Sequence, residues 1–268
     1  MDKVALIIGG SSGIGKATAK IFADNYKVVI AGRNVNKLNK AVIELYDQGA
    51  DVIPIKCDVT DIDSVTTLAE EAATLGPIEV VVNCAGVSPS IDDYKLIINI
   101  NAVGVINVTN VLQKHIISGG VLINLSSMSA DMIPSRLTPH KIFELSTKDV
   151  EQFKLKFDHR VKLIPANMRL GFTYGLSKQF VRWYSNHKSI EFAESGLRIL
   201  TVSPGLIDTP MGRSEYEAGK QFIEQSAIKR MGKPEEIGQL IYNIADPRLT
   251  YLTATDILVD GGVVANRE

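Results

Sequence analysis

Sulfur, imidazole and uncompensated charge are scarce in this chain of 268 residues. Its two cysteines, Cys57 and Cys84, each adjoin the end of an apolar run. Buried free thiols fit that placement better than a disulfide, which favours a reducing, cytoplasmic setting. The four histidines, His115, His140, His159 and His187, lack the close spacing of metal ligands. No metal is expected, and they read as surface or satisfied polar groups. With 29 basic and 30 acidic residues the net charge is -1, so no global field points to nucleic acid or a membrane surface. No apolar run approaches the ~20 residues of a membrane span. The run after Met1-Asp2-Lys3 is too short for a signal-peptide core. Linkers, low-complexity tracts and internal repeats are also missing, so residues 1–268 read as one domain. A hydrophobic content of 45% supports a sizeable core and excludes general disorder.

What is present begins with Val4-Ala5-Leu6-Ile7-Ile8-Gly9-Gly10-Ser11-Ser12-Gly13-Ile14-Gly15-Lys16. An apolar, β-branched run meets a glycine cluster and then helical spacing, the strand, turn and helix start of a nucleotide site. Gly9 permits the sharp turn, Gly13 removes bulk where a pyrophosphate approaches, and Gly15 lets helix and strand pack closely. The helix start offers free N–H groups and a positive dipole end to phosphates. Taken alone, a glycine turn without a ligand is the alternative. Further strand-like runs follow at Lys27–Ala31, Asp51–Cys57, Glu79–Asn83, Val121–Leu125, Leu197–Val202 and Asp256–Val259. Helical periodicity fills the intervals at Gly15–Asn25, Val35–Gln48, Ser64–Leu75 and Leu96–Ile117. Alternation of this kind, with nearly all-apolar strands, predicts a doubly wound α/β fold: a parallel sheet of about seven strands with helices on both faces.

The second strand ends Val29-Ile30-Ala31-Gly32-Arg33-Asn34, with no acid to hold the adenosine ribose hydroxyls. Arg33 instead offers a guanidinium suited to a 2′-phosphate. NADP is preferred over NAD, the other reading of Arg33 being a solvated loop residue. Asp58, in Cys57-Asp58-Val59, can accept a hydrogen bond from the adenine amino group or cap the following helix. Asn83-Cys84-Ala85-Gly86 closes the fourth strand with small residues that admit a ribose.

Tyr174 and Lys178 stand four residues apart in Tyr174-Gly175-Leu176-Ser177-Lys178, on one helix face. An ammonium beside a phenol, near an oxidised nicotinamide, favours the phenolate and lowers a value otherwise about 10. The phenol then serves as general acid or base. This spacing arises often by chance, and an exposed helical pair is the alternative in isolation. Ser126-Ser127, at the end of the fifth strand, shifts the balance. A hydroxyl at the C-terminal edge of a parallel sheet lies where ligands bind, and it can donate to a carbonyl oxygen gaining charge.

Together these residues resemble the single-domain branch of the short-chain dehydrogenase/reductase family over nearly the whole chain. Gly9, Gly13 and Gly15 match its glycine motif, with Ile8 where a threonine is usual. Asn83-Cys84-Ala85-Gly86 is similar to its Asn-Asn-Ala-Gly motif, with Cys84 replacing the second asparagine. Asn101 matches its helix asparagine, Ser127 its catalytic serine, and Tyr174 and Lys178 its catalytic pair. Pro204-Gly205-Leu206-Ile207-Asp208-Thr209 is similar to the segment that holds the nicotinamide carboxamide, through Ile207 and Thr209. Arg230-Met231-Gly232-Lys233-Pro234-Glu235-Glu236 and Val259-Asp260-Gly261-Gly262 match its C-terminal signatures. The resemblance implies reversible hydride transfer between NADP(H) and a secondary alcohol or carbonyl. Tyr174 acts as proton donor, Ser127 as oxygen stabiliser, Lys178 as ribose ligand and bias on Tyr174, and Asn101 as support of a water relay. The implied cofactor contacts are Gly9, Ser11, Ser12, Gly13, Ile14 and Gly15, then Arg33, Asn34, Asp58 and Val59. Asn83, Ala85, Gly86, Tyr174, Lys178, Pro204, Gly205, Ile207 and Thr209 complete the set. The family implies a homodimer or homotetramer, paired through helices that include Leu96–Ile117 and Tyr174–Ser189.

Two spacings depart from the family. Gly86 to Asn101 is short, and Ser127 to Tyr174 is several times the usual span. Both departures, with Val82-Asn83-Cys84-Ala85-Gly86, resemble the bacterial 3α-hydroxysteroid dehydrogenase/carbonyl reductase subgroup, although an acid at Arg33 would suit NAD there. Within the insertion at 131–173, Ser146-Thr147-Lys148-Asp149 looks like a helix cap. Val150, Phe153 and Phe157 follow at helical spacing. A helical flap is expected whose apolar face covers substrate or a neighbouring subunit, with a purely structural decoration as the alternative. Its 8 basic and 5 acidic residues hint at an anionic substrate. Two other readings compete with carbonyl reduction. A non-catalytic nucleotide sensor of this fold would usually have lost one of Asn101, Ser127, Tyr174 and Lys178. An enoyl-thioester reductase would have a wider tyrosine–lysine spacing.

Overall fold

The strands are short apolar runs, each closed by a glycine or polar turn, and all of them join one sheet. In the computed structural model, which describes residues 3–267, the first half of the chain runs β1 (Val4–Ile8), α1 (Gly13–Phe22), β2 (Lys27–Gly32), α2 (Val35–Tyr46), β3 (Val52–Lys56), α3 (Ile62–Leu75) and β4 (Ile78–Asn83). Next come α4 (Tyr94–Ile98), a π turn at Asn99–Val103, α5 (Gly104–Leu112) and β5 (Ile116–Leu125). After β5 lie α6 (His140–Phe143), α7 (Val150–Lys162) and α8 (Ala166–Glu194). The chain ends through β6 (Arg198–Pro204), α9 (Pro210–Ser214), α10 (Tyr216–Gln225), α11 (Pro234–Ala245) and β7 (Asp256–Val259). Met1, Asp2 and Glu268 lie outside the described residues.

All pairings are parallel, in the order β3-β2-β1-β4-β5-β6-β7. The order reverses between β1 and β4, which opens a crevice at their C-terminal ends. Alternate strand residues serve opposite faces. Ala5 and Ile7 face Phe22, Leu38 and Ile241 of α1, α2 and α11. Leu6 and Ile8 face the side covered by Leu68 of α3, Val108 of α5 and Phe192 of α8.

The α4–α5 helix ends at Leu112, short of the expected Ile117, because Ile116 and Ile117 enter β5. Ile116 pairs with Ile78, and the register shifts before Val80 meets Val121. Gly119, at φ +88, and Gly120 let the chain make that shift. A Cβ on Gly120 would stand 2.4 Å from Ile116 Cγ2. By length and composition Tyr94–Leu112 could cross a membrane, with a mean hydropathy of 1.4, yet 72% of it is buried inside the protein. It is apolar because it packs on both sides.

The insertion is helical. Asp149 caps α7, its carboxylate accepting from Gln152 N at 3.0 Å. Phe153, Phe157 and Val161 lie on one face of α7 and are fully buried. They pack on Phe180 and Tyr184 of α8 and on Ile98, Ala102 and Ile106 along α4–α5. The Phe153 and Phe180 rings are 4.7 Å apart. The apolar face expected to cover substrate or a second subunit thus covers the chain's own helices, because Phe153, Phe157 and Val161 have an apolar helix pair within reach. Phe157→Ala should cost about 3–5 kcal/mol in urea unfolding, while cofactor affinity at zero denaturant stays unchanged. Loss of cofactor affinity in the folded variant would contradict this placement.

Candidate active site

Along the C-terminal edge of the sheet runs a cavity of about 460 Å³. Its first wall is the turn after β1. Gly9 adopts φ +80, and a Cβ there would stand 2.8 Å from the Cys84 carbonyl carbon. Gly13 adopts φ +53, with Thr209 Cγ2 3.1 Å from where its Cβ would be. A Cβ on Gly15 would stand 2.3 Å from the Gly9 carbonyl oxygen, so the closest approach is to the turn itself. Ser12 precedes α1 in extended conformation and its side chain makes no capping bond. The first-turn N–H groups of α1 stay free for an anion. The bare backbone at Gly9 and Gly13 and this uncapped helix fit a dinucleotide pyrophosphate.

The far end is basic. Arg33 and Asn34 line the cavity as expected. Asn34 also caps α2, accepting from Lys37 N at 3.0 Å. Lys37 lines the wall beside them, a residue that sequence reasoning misses. Its signal is a second cation four residues after Arg33, but that the first turn of α2 faces the cavity needs the fold. Both are exposed and, among the described residues, form no ion pair.

Ser11, Ser12, Ile14, Val59, Ala85, Gly86, Pro204, Gly205, Ile207 and Thr209 all line the cavity. Two expected contacts do not. Asp58 turns its Oδ1 onto Thr60, accepting from N at 2.9 Å and Oγ1 at 2.8 Å, so a local turn takes the carboxylate. Asn83 is buried behind the wall. Its Nδ2 donates to Asn124 Oδ1 at 3.0 Å and its Oδ1 accepts from Ala85 N at 3.3 Å. Asn124 in turn donates to Ser185 Oγ at 3.1 Å. Asn83 therefore shapes the Ala85–Gly86 turn from inside.

Tyr174 and Lys178, one turn apart on α8, meet Ser127 at the end of β5. Lys178 Nζ donates to the Leu125 carbonyl at 2.9 Å and lies 5.7 Å from the Tyr174 ring centroid. Ser127 Oγ accepts from Ser129 N at 3.1 Å and donates to Ser129 Oγ at 3.2 Å, and it stands near enough to the Tyr174 phenol to favour its ionised form. Asn101 sits in the π turn, a geometry frequent at functional sites, but fully buried and off the cavity wall. Its Oδ1 accepts from Val87 N at 2.9 Å, and its Nδ2 donates to the Val87 carbonyl at 2.9 Å and Ser177 Oγ at 3.4 Å. Its amide is committed to holding the Gly86–Val87 turn against α8. A Cβ on Gly86 would stand 3.3 Å from Asn101 Oδ1 and 3.5 Å from Lys178 Nζ, so the turn lies close against both side chains.

Burial governs the charges. The Tyr174 phenol is pushed up to about 12, the nearby Ser127 hydroxyl opposing that rise and the Glu215 carboxylate adding to it. Desolvation dominates there, and the Lys178 Nζ is turned to the Leu125 carbonyl. Lys178 itself is driven down to about 8 by burial. The neighbouring Cys84 thiol rises to about 12 for the same reason.

The remaining wall is apolar. Leu206, Met211, Ala218, Gly219 and Phe222 come from the segment after β6, with Glu215 among them. No residue of 131–173 lines the cavity. The sequence carries no signal for this, since α10 reads only as a short amphipathic helix.

A lysine depressed to about 8 from 10.5 is charged in both the folded and unfolded protein below about 8, where burial costs most. That cost fades as pH rises from about 8 through 10.5, and it vanishes only well above 10.5, where neither state binds the proton. Lys178→Met should therefore gain most over the wild type near pH ~7 and least near pH ~10 in urea unfolding. A stability difference independent of pH would refute the buried ammonium.

A family model described as short chain dehydrogenase matches residues 3–139, and one described as enoyl-(acyl carrier protein) reductase matches 161–264. The chain is 30% identical to 3-oxoacyl-[acyl-carrier-protein] reductase FabG of Thermotoga maritima, with 98% of each chain covered. It is also 30% identical to carbonyl reductase family member 4 of Xenopus laevis, again over 98% of each. Among solved structures, a short chain dehydrogenase from Burkholderia cenocepacia in complex with NADP aligns at a TM-score of 0.77 and 23% identity, covering 97% of both chains. At that identity the likeness speaks for the fold. The fold, the matched regions and these relatives lead to one conclusion: the chain belongs to the short-chain dehydrogenase/reductase family, as an NAD(P)-dependent oxidoreductase of the CH–OH/C=O class.

Proposed function

We propose that this enzyme reduces an apolar ketone with NADPH. The observation that carries the reading is the meeting of Ser127, Tyr174 and Lys178 on the wall at one end of the cavity. Arg33 and Lys37, free of ion pairs, stand at the other end. When bound, NADPH supplies a hydride. The α1 N-terminus and the turn from Gly9 to Gly15 hold its pyrophosphate, Arg33 and Lys37 its 2′-phosphate, and Lys178 its ribose hydroxyls. Tyr174, kept protonated by burial, holds at Oη the proton that the product oxygen needs. Ser127 Oγ orients that oxygen and stabilises its developing charge. Asn101 acts through the Gly86–Val87 turn and supports a water relay to Lys178.

The substrate reading changes with the fold. The charges in 131–173, which hint at an anionic substrate, do not reach the cavity. At the substrate end the charged residue is Glu215, whose carboxylate has no hydrogen bond or ion pair among the described residues. A carboxylate on an apolar wall disfavours anions and favours neutral or cationic ketones. Steroid ketones, matching the hydroxysteroid dehydrogenase/carbonyl reductase resemblance, are therefore tested beside keto esters and quinones. The retained Ser127, Tyr174 and Lys178 speak against a non-catalytic sensor, and the tight Tyr174–Lys178 spacing against enoyl reduction. We keep a cytoplasmic homodimer or homotetramer as the working assembly. Pairing through α8 and α4–α5 has to accommodate α7 on their outer face.

Tyr174→Phe should lower ketone reduction by about 10²–10⁴-fold with NADPH affinity retained, read by loss of reduced-nicotinamide absorbance and by fluorescence titration. Undiminished turnover would sink the mechanism. Arg33→Ala should weaken NADPH by about tenfold or more, on the order of 1.4 kcal/mol, and leave NADH untouched. Unchanged affinity for NADPH would make Arg33 a solvated loop residue, and equal loss for both cofactors would place its contact away from the 2′-phosphate.

A further inference from the structure

The connection from Ser127 to Tyr174 is long, and a long connection by itself leaves its ends free to part. Residues 125–138 are nonetheless laced to one face of α8. Gln179 Nε2 donates to the Ala130 and Ile133 carbonyls at 2.9 and 2.8 Å, and its Oε1 accepts from Thr138 Oγ1 at 2.9 Å. One turn beyond Lys178, Arg182 does more. Its Nη2 donates to the Ser127 carbonyl at 3.2 Å. Nη1 and Nη2 together grip Asp131 Oδ1 and Oδ2 at 2.7 and 2.8 Å. On the other side Nε faces Ser203 Oγ and Asp256 Oδ2, both at 3.0 Å. Asp256 Oδ1 accepts from Thr201 Oγ1 at 2.6 Å and Ser203 Oγ at 2.7 Å. The Arg182 side chain is 19% exposed, and its planar fork reaches the end of β5, the start of the insertion and the β6–β7 pair at once.

We propose that Arg182 is the positioning residue that holds Ser127 at the Tyr174 hydroxyl, supplying across a long insertion the restraint a short connection would give. It rests on the roles proposed above for Ser127 and Tyr174. Arg182 is absent from the cavity wall, so it acts on the chemistry through the Ser127 backbone. Tyr174, Lys178 and Arg182 follow at four-residue steps, which puts the anchor and the proton donor on one helix face. The groups facing Tyr174 are Ser127, Lys178 and Glu215, and those facing Arg182 are Asp131 and Asp256. Of the former, Ser127 is the one bonded to Arg182.

The test uses Arg182→Met, Arg182→Lys and Asp131→Asn in the full chain. Arg182→Met should lower kcat by about 10–100-fold through a small displacement of Ser127, with KM and NADPH affinity within about threefold. Arg182→Lys keeps the charge without the fork and should recover only part of the loss. The Tyr174 phenol, titrated by tyrosinate absorbance against a Tyr174→Phe counterpart of each variant, should move upward, because the Ser127 hydroxyl opposes its rise. Asp131→Asn should act in the same direction and add little to Arg182→Met, and it covers the case in which Arg182→Met does not fold. Wild-type kcat and an unmoved phenol in the folded variants would overturn the assignment. So would a kcat loss that only tracks the unfolded fraction. A wild-type enzyme that reduces no ketone overturns the function proposed above, whereas the phenol titration needs no turnover and still decides for Arg182.

Discussion

Two reciprocal hydrogen bonds between β5 and α8 support the site. Lys178 Nζ donates to the Leu125 carbonyl, and Ser126 Oγ donates to the Lys178 carbonyl, both at 2.9 Å. A long helix is thereby clamped by main-chain atoms to the edge of the sheet, and Tyr174 is carried to the end of the strand that bears Ser127. The clamp requires a buried ammonium, whose desolvation drives Lys178 down to about 8. The same dryness keeps the Tyr174 phenol protonated. Structural economy and proton chemistry come from one burial.

Around that clamp the small residues have unequal tasks. Gly9 and Gly13 occupy backbone conformations that other residues rarely adopt. Gly86 has an ordinary backbone conformation and lies close against the Asn101 and Lys178 side chains. Asn83 and Asn101 work behind the wall, one through Asn124 and the other through Val87. Cys84 stands where the family has an asparagine, and as a half-buried neutral thiol on the cavity wall it fills the space beside Lys178 without a strong hydrogen bond.

The insertion shows how a local surplus of chain is absorbed. Its phenylalanines form a separate core with α8 and the α4–α5 helix. Aromatic contacts such as Phe153–Phe180 and Phe143–Phe180, at 4.7 and 5.2 Å, anchor it far from the cavity. The pocket's substrate end is therefore left to the segment after β6, where Met211, Glu215 and Phe222 set its polarity.

The periodicity of apolar residues and the glycine turn were sufficient for the parallel strands and the crevice at their C-terminal edge, and the family resemblance added the cluster of Ser127, Tyr174 and Lys178. Those features depend on local spacing, which the chain carries explicitly. Asp58 marks the limit: whether its carboxylate faces a base or Thr60 depends on one rotamer that spacing does not encode. That Lys37 joins Arg33, that Asn83 and Asn101 stand behind the wall, and that α7 packs on α8 were likewise decided only in three dimensions. Each depends on which faces meet once the helices are laid on the sheet. The phenol's upward shift was also beyond the sequence, because desolvation depends on the whole surrounding volume. Sequence determined which chemical groups are available and on which element; tertiary packing decided which of them meet water, cofactor space or one another.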